Sequence, residues 1–145
     1  MTTPETHGET RSVVVERDFA ASPEKLWRAL TQPHLIAEWL MDNDFQPDVG
    51  HRFNLRGTWG GVLDCEVLTV DPGKTLAYTW NYAQAAAAFD LQSVVTFTLT
   101  PAGAGTRLRM EQTGFRPDQK QALGGAKFGW QKFLDNLDTV TAQLD

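Results

Sequence analysis

Apolar residues recur at every second position along much of the chain, a pattern typical of β-strands. Val13, Val15 and Phe19 share one side of a first such stretch. The same period returns after Gly50 in several stretches that end in turn sequences, such as residues 71–74 (DPGK) and 101–105 (PAGAG). Because short turns join these stretches, we expect an antiparallel sheet with one covered face and one wet face.

Two regions have a helical period instead. Ser22-Pro23 predicts an N-cap and first turn, and Pro33 restarts a second short helix. Near the end, apolar residues recur at three or four positions after a start predicted at Pro117-Asp118, and they are Leu123, Ala126, Trp130, Phe133, Leu137, Val140 and Leu144. This pattern predicts an amphipathic helix of about twenty residues or more, roughly 30 Å long. A curved sheet covered by one helix leaves a gap, and such gaps bind small molecules.

Composition narrows the class of function. The 145 residues suffice for one domain with a core, and five Trp, eight Phe and two Tyr supply large side chains for it. A net charge of −5 speaks against nucleic acid as a partner. The single Cys excludes an intrachain disulfide or thiolate cluster, and three scattered His do not predict a metal site. We therefore expect no metal and no cofactor.

The predicted organisation is simple. Residues 1–10 are polar and predict a flexible tail, and residues 11–145 predict a single domain. The tail has no apolar segment of the kind found in secretory signals, and the one Cys fits a reducing compartment, so we expect a cytoplasmic protein. No apolar run is long enough to span a bilayer, so we expect no stable membrane insertion. The sequence leaves open whether the protein forms a homodimer.

Several short segments carry a family resemblance. Residues 21–31, ASPEKLWRALT, resemble the opening of START-like proteins of the SRPBCC superfamily. Other segments resemble its subgroup named for the activator of Hsp90 ATPase, the AHSA1-like domains. These segments are Pro33 with Trp39, Asp48 to Phe53, Asp71-Pro72 through Tyr78 to Trp80, Gly105 to Leu108, and Gly129-Trp130. The resemblance runs from Val13 to Leu144, nearly the whole chain.

The resemblance implies an α+β helix-grip fold of the START/Bet v 1 type. In that fold two short helices follow the first strand, and a curved antiparallel sheet wraps around a long C-terminal helix with a cavity between them. The wider family includes binders of lipids, hormones and polyketides, some cyclases and hydrolases, and Hsp90 co-chaperones. Gln112 stands where the family often has His, and Gly50-His51 stands where it often has a Gly pair. The change at Gln112 argues against carrying over chemistry that such a His supports.

Strand parity and helical period together predict the residues that line the cavity. They are Arg17, Phe53, Leu55, Trp59, Tyr78, Trp80, Val95, Phe97, Met110, Gln112, Ala126, Trp130 and Phe133. The apolar members either line a void or fill it as ordinary core, and the sequence leaves both open.

The polar members of this set also have two interpretations each. Arg17 could hold a ligand carboxylate or carbonyl, or it could extend to the sheet rim or pair with a structural acid. Gln112 could offer a ligand a donor and an acceptor, or bond the backbone at a strand end. Tyr78 and Trp80 could orient a ligand through a hydroxyl and an indole N–H, or pack as core.

No catalytic signature is present, and no catalytic residue is predicted. Cys65 has no basic neighbour in sequence and is interpreted as a small buried hydrophobe. His34 and His51 have no carboxylate or Ser at a sequence spacing that indicates a catalytic site. The leading hypothesis is a non-catalytic binder of a small, largely hydrophobic molecule of the lipid, polyketide or aromatic metabolite class. The alternatives are a cyclase or hydrolase acting on an aromatic or polyketide-like substrate, and an Hsp90-type co-chaperone or interaction module. The Hsp90 activators carry an additional N-terminal domain, whereas residues 1–10 here predict only a polar tail ahead of the domain. We therefore do not expect a chaperone partner.

Overall fold

The structure is a computed structural model, which describes residues 10–58, 60–82 and 91–144. These residues form seven strands and three helices. The strands are β1 (Arg11–Phe19), β2 (Asp42–Asn43), β3 (Arg52–Arg56), β4 (Val62–Asp71), β5 (Thr75–Tyr82), β6 (Leu91–Ala102) and β7 (Gly105–Phe115). The helices are α1 (Pro23–Thr31), α2 (Pro33–Trp39) and α3 (Lys120–Ala142). Residues 1–9, which make up nearly all of the predicted tail, and Trp59 lie outside the described residues.

The strands form one antiparallel sheet in the order β1-β7-β6-β5-β4-β3-β2. The first strand pairs with the last, and Val13 lies opposite Gln112. The ladder between β4 and β5 shifts register between Val67 and Thr69. A bulge of this kind bends a strand and increases its twist, which helps the sheet to curve. The α+β helix-grip arrangement expected from the sequence is confirmed.

The short helices begin where their caps predict. The Ser22 hydroxyl accepts the Lys25 backbone N–H at 3.3 Å, and Pro23 occupies the first turn of α1. Gln32 lies between α1 and α2, and Pro33 is the first residue of α2. The indole N–H of Trp39 in α2 then donates to the Ala29 carbonyl of α1 at 2.8 Å, which fixes the angle between the two helices.

The long helix differs from its prediction at the start. It begins at Lys120, after the predicted Pro117-Asp118. The buried Gln119 side chain accepts the Arg116 backbone N–H at 2.9 Å, so residues 116–119 form a separate turn ahead of α3. The prediction of a helix of about twenty residues or more is confirmed, because α3 contains 23 residues.

The core lies between the sheet and the helices. Trp39 of α2, Phe97 of β6 and Trp130 of α3 are among its largest fully buried side chains. Leu134 is also fully buried, although it was not among the recurring apolar positions used to predict α3. The two-residue strand β2 was not predicted because so short a segment shows no period. Across the described ranges, no helix has the length and apolar character that crossing a bilayer requires.

Candidate functional site

The inner face of the sheet is built from alternate residues of its central strands. Their burial follows the predicted parity, so polar neighbours such as Asn54, Thr79 and Thr96 point away from the core. The predicted inner-face residues that are buried are Phe53 and Leu55 of β3, Tyr78 and Trp80 of β5, Val95 and Phe97 of β6, and Met110 and Gln112 of β7. Helix α3 adds the buried Trp130 and the half-buried Ala126 and Phe133.

A line of aromatic rings crosses this inner face. Phe133 lies 5.5 Å from Trp130 between ring centroids, and Trp130 lies 5.8 Å from Phe97. Phe97 lies 6.0 Å from Tyr78, which lies 5.2 Å from Phe53. Most of these pairs meet edge to face, the arrangement that aromatic quadrupoles favour. We call these five residues the aromatic line.

A buried hydrogen-bond network lies beside the aromatic line. The Trp130 indole N–H donates to Gln112 Oε1 at 2.8 Å, and Gln112 Nε2 donates to Ser93 Oγ at 3.0 Å. The Ser93 hydroxyl donates in turn to the Trp80 carbonyl at 2.6 Å. Gln112 is 1% exposed, and its amide is engaged by other side chains at both ends. These bonds join β5, β6, β7 and α3, which is a broader role than the strand-end bond that the sequence left as an alternative.

Two polar groups on β5 are in a different situation. Among the described residues, neither the Tyr78 hydroxyl nor the Trp80 indole N–H has a hydrogen-bond partner. Tyr78 is 3% exposed and Trp80 is 8% exposed. Every completely enclosed side-chain nitrogen or oxygen of the described residues is paired, so these two atoms must border accessible space. Burial raises the pKa of Tyr78 well above its ordinary value, so the phenol keeps its proton and remains a donor.

An opening lies at the end of the aromatic line where Phe133 stands. Its volume is about 370 Å³. Its walls come from α2 and the residues after it, from the end of β3, and from α3; they are Ala37, Leu40, Met41, Asp42, Arg56, Gly57, Thr58 and Phe133. We call this space the apolar opening. Of the predicted site residues, Phe133 lines it and connects it to Trp130.

Arg17 lies at the rim of the sheet, on β1. Its guanidinium donates to Asp135 of α3 at 2.6 Å and to the Gln131 side chain at 3.1 Å. The Arg17 side chain is 23% exposed and the Asp135 side chain is 70% exposed, so this ion pair is largely hydrated. The arrangement matches the alternative of a structural acid at the rim, and it fastens α3 to the edge of the sheet.

Comparison with known proteins places these features in a family. The family model described as activator of Hsp90 ATPase homolog 1-like protein matches residues 20–142. The chain belongs to the AHSA1-like family. No curated protein matches the sequence significantly.

Solved structures share the fold of this AHSA1-like chain. Protein MLL2253 from Mesorhizobium loti is 67% identical, the match covers 93% of this chain and 99% of that one, and the TM-score is 0.91. CalU16 from Micromonospora echinospora is 26% identical, with 99% and 82% of the two chains covered and a TM-score of 0.77. DynU16, a protein of the dynemicin biosynthetic locus, is 22% identical; the match covers 91% of this chain but 47% of that one, with a TM-score of 0.79.

Cys65, His34 and His51 are the Cys and His side chains of this AHSA1-like domain in the described residues. Cys65 is buried, and burial, with a smaller contribution from Asp64, raises the pKa of its thiol well above the ordinary value. His34 is exposed on α2, and Nε2 of His51 lies 2.9 Å from the Asp44 carbonyl oxygen. No group of three or more potential metal ligands occurs in the described part of the chain.

A second, polar groove of about 480 Å³ lies at β3, β4 and β5, where outward-facing polar side chains line much of it. Its polar groups bond to one another. Asn54 donates to Asp64 at 2.8 Å, and the Glu66 backbone N–H donates to Thr79 Oγ1 at 2.7 Å. The Thr79 hydroxyl thus takes the place of a backbone carbonyl near the bulge in β4. These contacts explain the polar residues as part of the sheet itself.

Sequence reasoning found the inner face but missed most of the apolar opening. The inner-face residues follow a period of two, which parity detects. Leu40 and Met41 follow the end of α2, and Thr58 follows β3, so no period identifies them. Ala37 could have indicated the opening, because a small residue on a short helix leaves space beside it. A single alanine is a weak signal for a binding site.

Proposed function

We propose that this AHSA1-like domain binds a small, largely hydrophobic molecule between the sheet and α3, without catalysing a reaction. The ligand belongs to the lipid, polyketide or aromatic metabolite class, and it enters through the apolar opening. The observation that carries this proposal is the apolar opening, whose wall residue Phe133 packs against Trp130 at the end of the aromatic line. That line also contains the buried Tyr78, whose hydroxyl has no partner in the described residues. The predicted inner-face residues form the walls of the site.

The size and chemistry of the opening support this class of ligand. Small-molecule sites are mostly apolar clefts of roughly 300–1,000 Å³ with a few polar groups that fix orientation. The apolar opening, at about 370 Å³, is in this range. Leu40, Met41 and Phe133 are apolar residues of its walls, and Asp42, Arg56 and Thr58 supply polar groups. Each Å² of apolar ligand surface removed from water contributes about 25 cal/mol, so an aromatic ring system supplies most of its own affinity.

The side chains that an enzyme would use are engaged in other contacts. The Gln112 amide is bonded to Ser93 and Trp130, and Arg17 is paired with Asp135. The thiol of Cys65 is held in its protonated form, which is a poor nucleophile. These contacts favour binding over catalysis in this space.

The test uses N-phenyl-1-naphthylamine, a neutral aromatic probe that fluoresces strongly when it leaves water. We expect saturable binding to the wild-type domain. The variant Ala37→Trp fills the apolar opening from an exposed position on α2 and is expected to weaken binding about tenfold or more, since a tenfold change corresponds to about 1.4 kcal/mol.

The matched control is Ala142→Trp, which places the same side chain at an exposed position near the end of α3. This control should bind the probe as the wild type does. Absence of saturable binding to the wild type would overturn the proposed function, and equal binding by Ala37→Trp and the wild type would overturn the assigned entrance.

A further inference from the structure

The Tyr78 hydroxyl and the Trp80 indole N–H on β5 narrow the class of ligand that the inner face can bind. This inference rests on the proposed function. Tyr78 and Trp80 are two residues apart on one strand, so their side chains leave the same face of the sheet. Both are nine-tenths buried or more, and neither polar atom has a partner in the described part of the chain. Because these two atoms border accessible space, a bound molecule can reach them and accept their hydrogen bonds.

The two groups have the same hydrogen-bonding polarity. An indole N–H can only donate, and a protonated phenol can donate its O–H, although its oxygen can also accept. The Gln112 amide could offer an acceptor as well, but its oxygen already accepts from Trp130 and its nitrogen already donates to Ser93. The Tyr78 O–H and the Trp80 N–H are therefore two donors on the inner face that suit acceptors on a ligand.

The charge of the ligand is also constrained. None of the buried side chains in the described ranges is charged. Arg17, the cation predicted to line the cavity, lies at the rim with Asp135 and Gln131. Arg56, which lines the apolar opening, lies 3.8 Å from the Asp44 carboxylate. Because an ionised carboxylate without a cationic partner is very costly to bury, an acceptor bound at β5 must be neutral.

We propose that Tyr78 and Trp80 select ligands with an apolar body and a neutral oxygen acceptor, such as a ketone, ester or quinone oxygen. The Tyr78 hydroxyl donates to this oxygen, and the Trp80 N–H is a second donor for the same or a neighbouring oxygen. Both residues are specificity-determining, and no bond is made or broken in the ligand.

The test compares three molecules with the same ring system and different substituents, by displacement of N-phenyl-1-naphthylamine. They are 2-acetylnaphthalene with a neutral acceptor, 2-ethylnaphthalene without one, and 2-naphthoate with a charged one. We expect Tyr78→Phe to weaken the ketone about tenfold while leaving the hydrocarbon within about twofold, since the variant removes one hydrogen bond and keeps the ring. The naphthoate should bind more weakly than the ketone to the wild type.

A second measurement does not depend on the variant. The carbonyl stretching band of bound 2-acetylnaphthalene should lie at lower frequency in the wild-type domain than in hexane, because a donated hydrogen bond weakens the C=O bond. If the ketone and hydrocarbon bind but Tyr78→Phe weakens both equally, or if the band is unshifted, the acceptor inference is wrong and the proposed function stands. If the wild type binds neither molecule nor the fluorescent probe, the proposed function itself is wrong.

Discussion

Gln112 on β7 and Tyr78 on β5 lie on the same inner face of one sheet, yet their polar atoms are in opposite situations. The Gln112 amide is bonded at both ends to Trp130 and Ser93, whereas the Tyr78 hydroxyl has no partner in the described residues. A satisfied buried group holds strands and helix in one arrangement, while an open donor does nothing for the empty protein. The comparison therefore separates the part of the inner face that stabilises the fold from the part available to a ligand.

The largest effect is expected from removing Gln112. Gln112→Ala leaves the Trp130 N–H unpaired and opens a cavity, so the free energy of unfolding should fall by about 3 kcal/mol. Urea unfolding followed by tryptophan fluorescence measures this change. Gln112→Met keeps most of the volume and should cost about 2 kcal/mol, from the unpaired donor alone. Losses below about 1 kcal/mol for both variants would mean that the network does not stabilise the fold.

An intermediate effect is expected from Cys65, another buried titratable group of the inner face. Its pKa is raised in the folded protein, so the unfolded chain loses the thiol proton first as the pH increases. Stability is complete below the ordinary thiol pKa of about 8.5 and falls above it. Relative to Cys65→Ala, the wild type should lose about 1.4 kcal/mol more between about pH 7.5 and 9.5. Parallel pH profiles would contradict this expectation.

The smallest effect is expected from Tyr78→Phe without ligand. Because the hydroxyl has no partner among the described residues, its removal should change the free energy of unfolding by less than about 0.5 kcal/mol. The same urea titration provides the measurement. A loss of about 1.5 kcal/mol or more would show that the hydroxyl is bonded in the empty protein, and the contrast with Gln112 would then disappear.

The sequence was enough to predict which residues lie on the inner face of the sheet, but not which hydrogen bonds they make. Alternation placed Tyr78, Trp80 and Gln112 on the covered side, and all three are buried there. The partners of Gln112 could not be predicted, because they depend on the register of β6 against β7 and on the rotation of α3 about its axis. The same limit applies to Arg17, whose partner Asp135 is 118 residues away along the chain.

The apolar opening illustrates a second limit. Its walls combine the exposed side of α2, the residues that follow it, the end of β3 and one turn of α3. Each segment is too short or too irregular to carry a period, so only the assembled fold brings them together. By contrast, the caps of α1 were predictable because Ser22 and Pro23 act on their immediate neighbours.

The pairing of β1 with β7 has a consequence for synthesis of the protein. Among the strands of the described residues, β1 is made first, but the one strand it pairs with is β7, which is made last. The Ala21 carbonyl, just after β1, accepts a hydrogen bond from the Thr106 hydroxyl, which is made 85 residues later. At typical translation rates this delay is on the order of 4–17 s. During this time the backbone N–H and C=O groups of β1 are unpaired and can bond to another chain. Slow elongation before β7 would therefore increase aggregation of the nascent chain more than slow elongation after it.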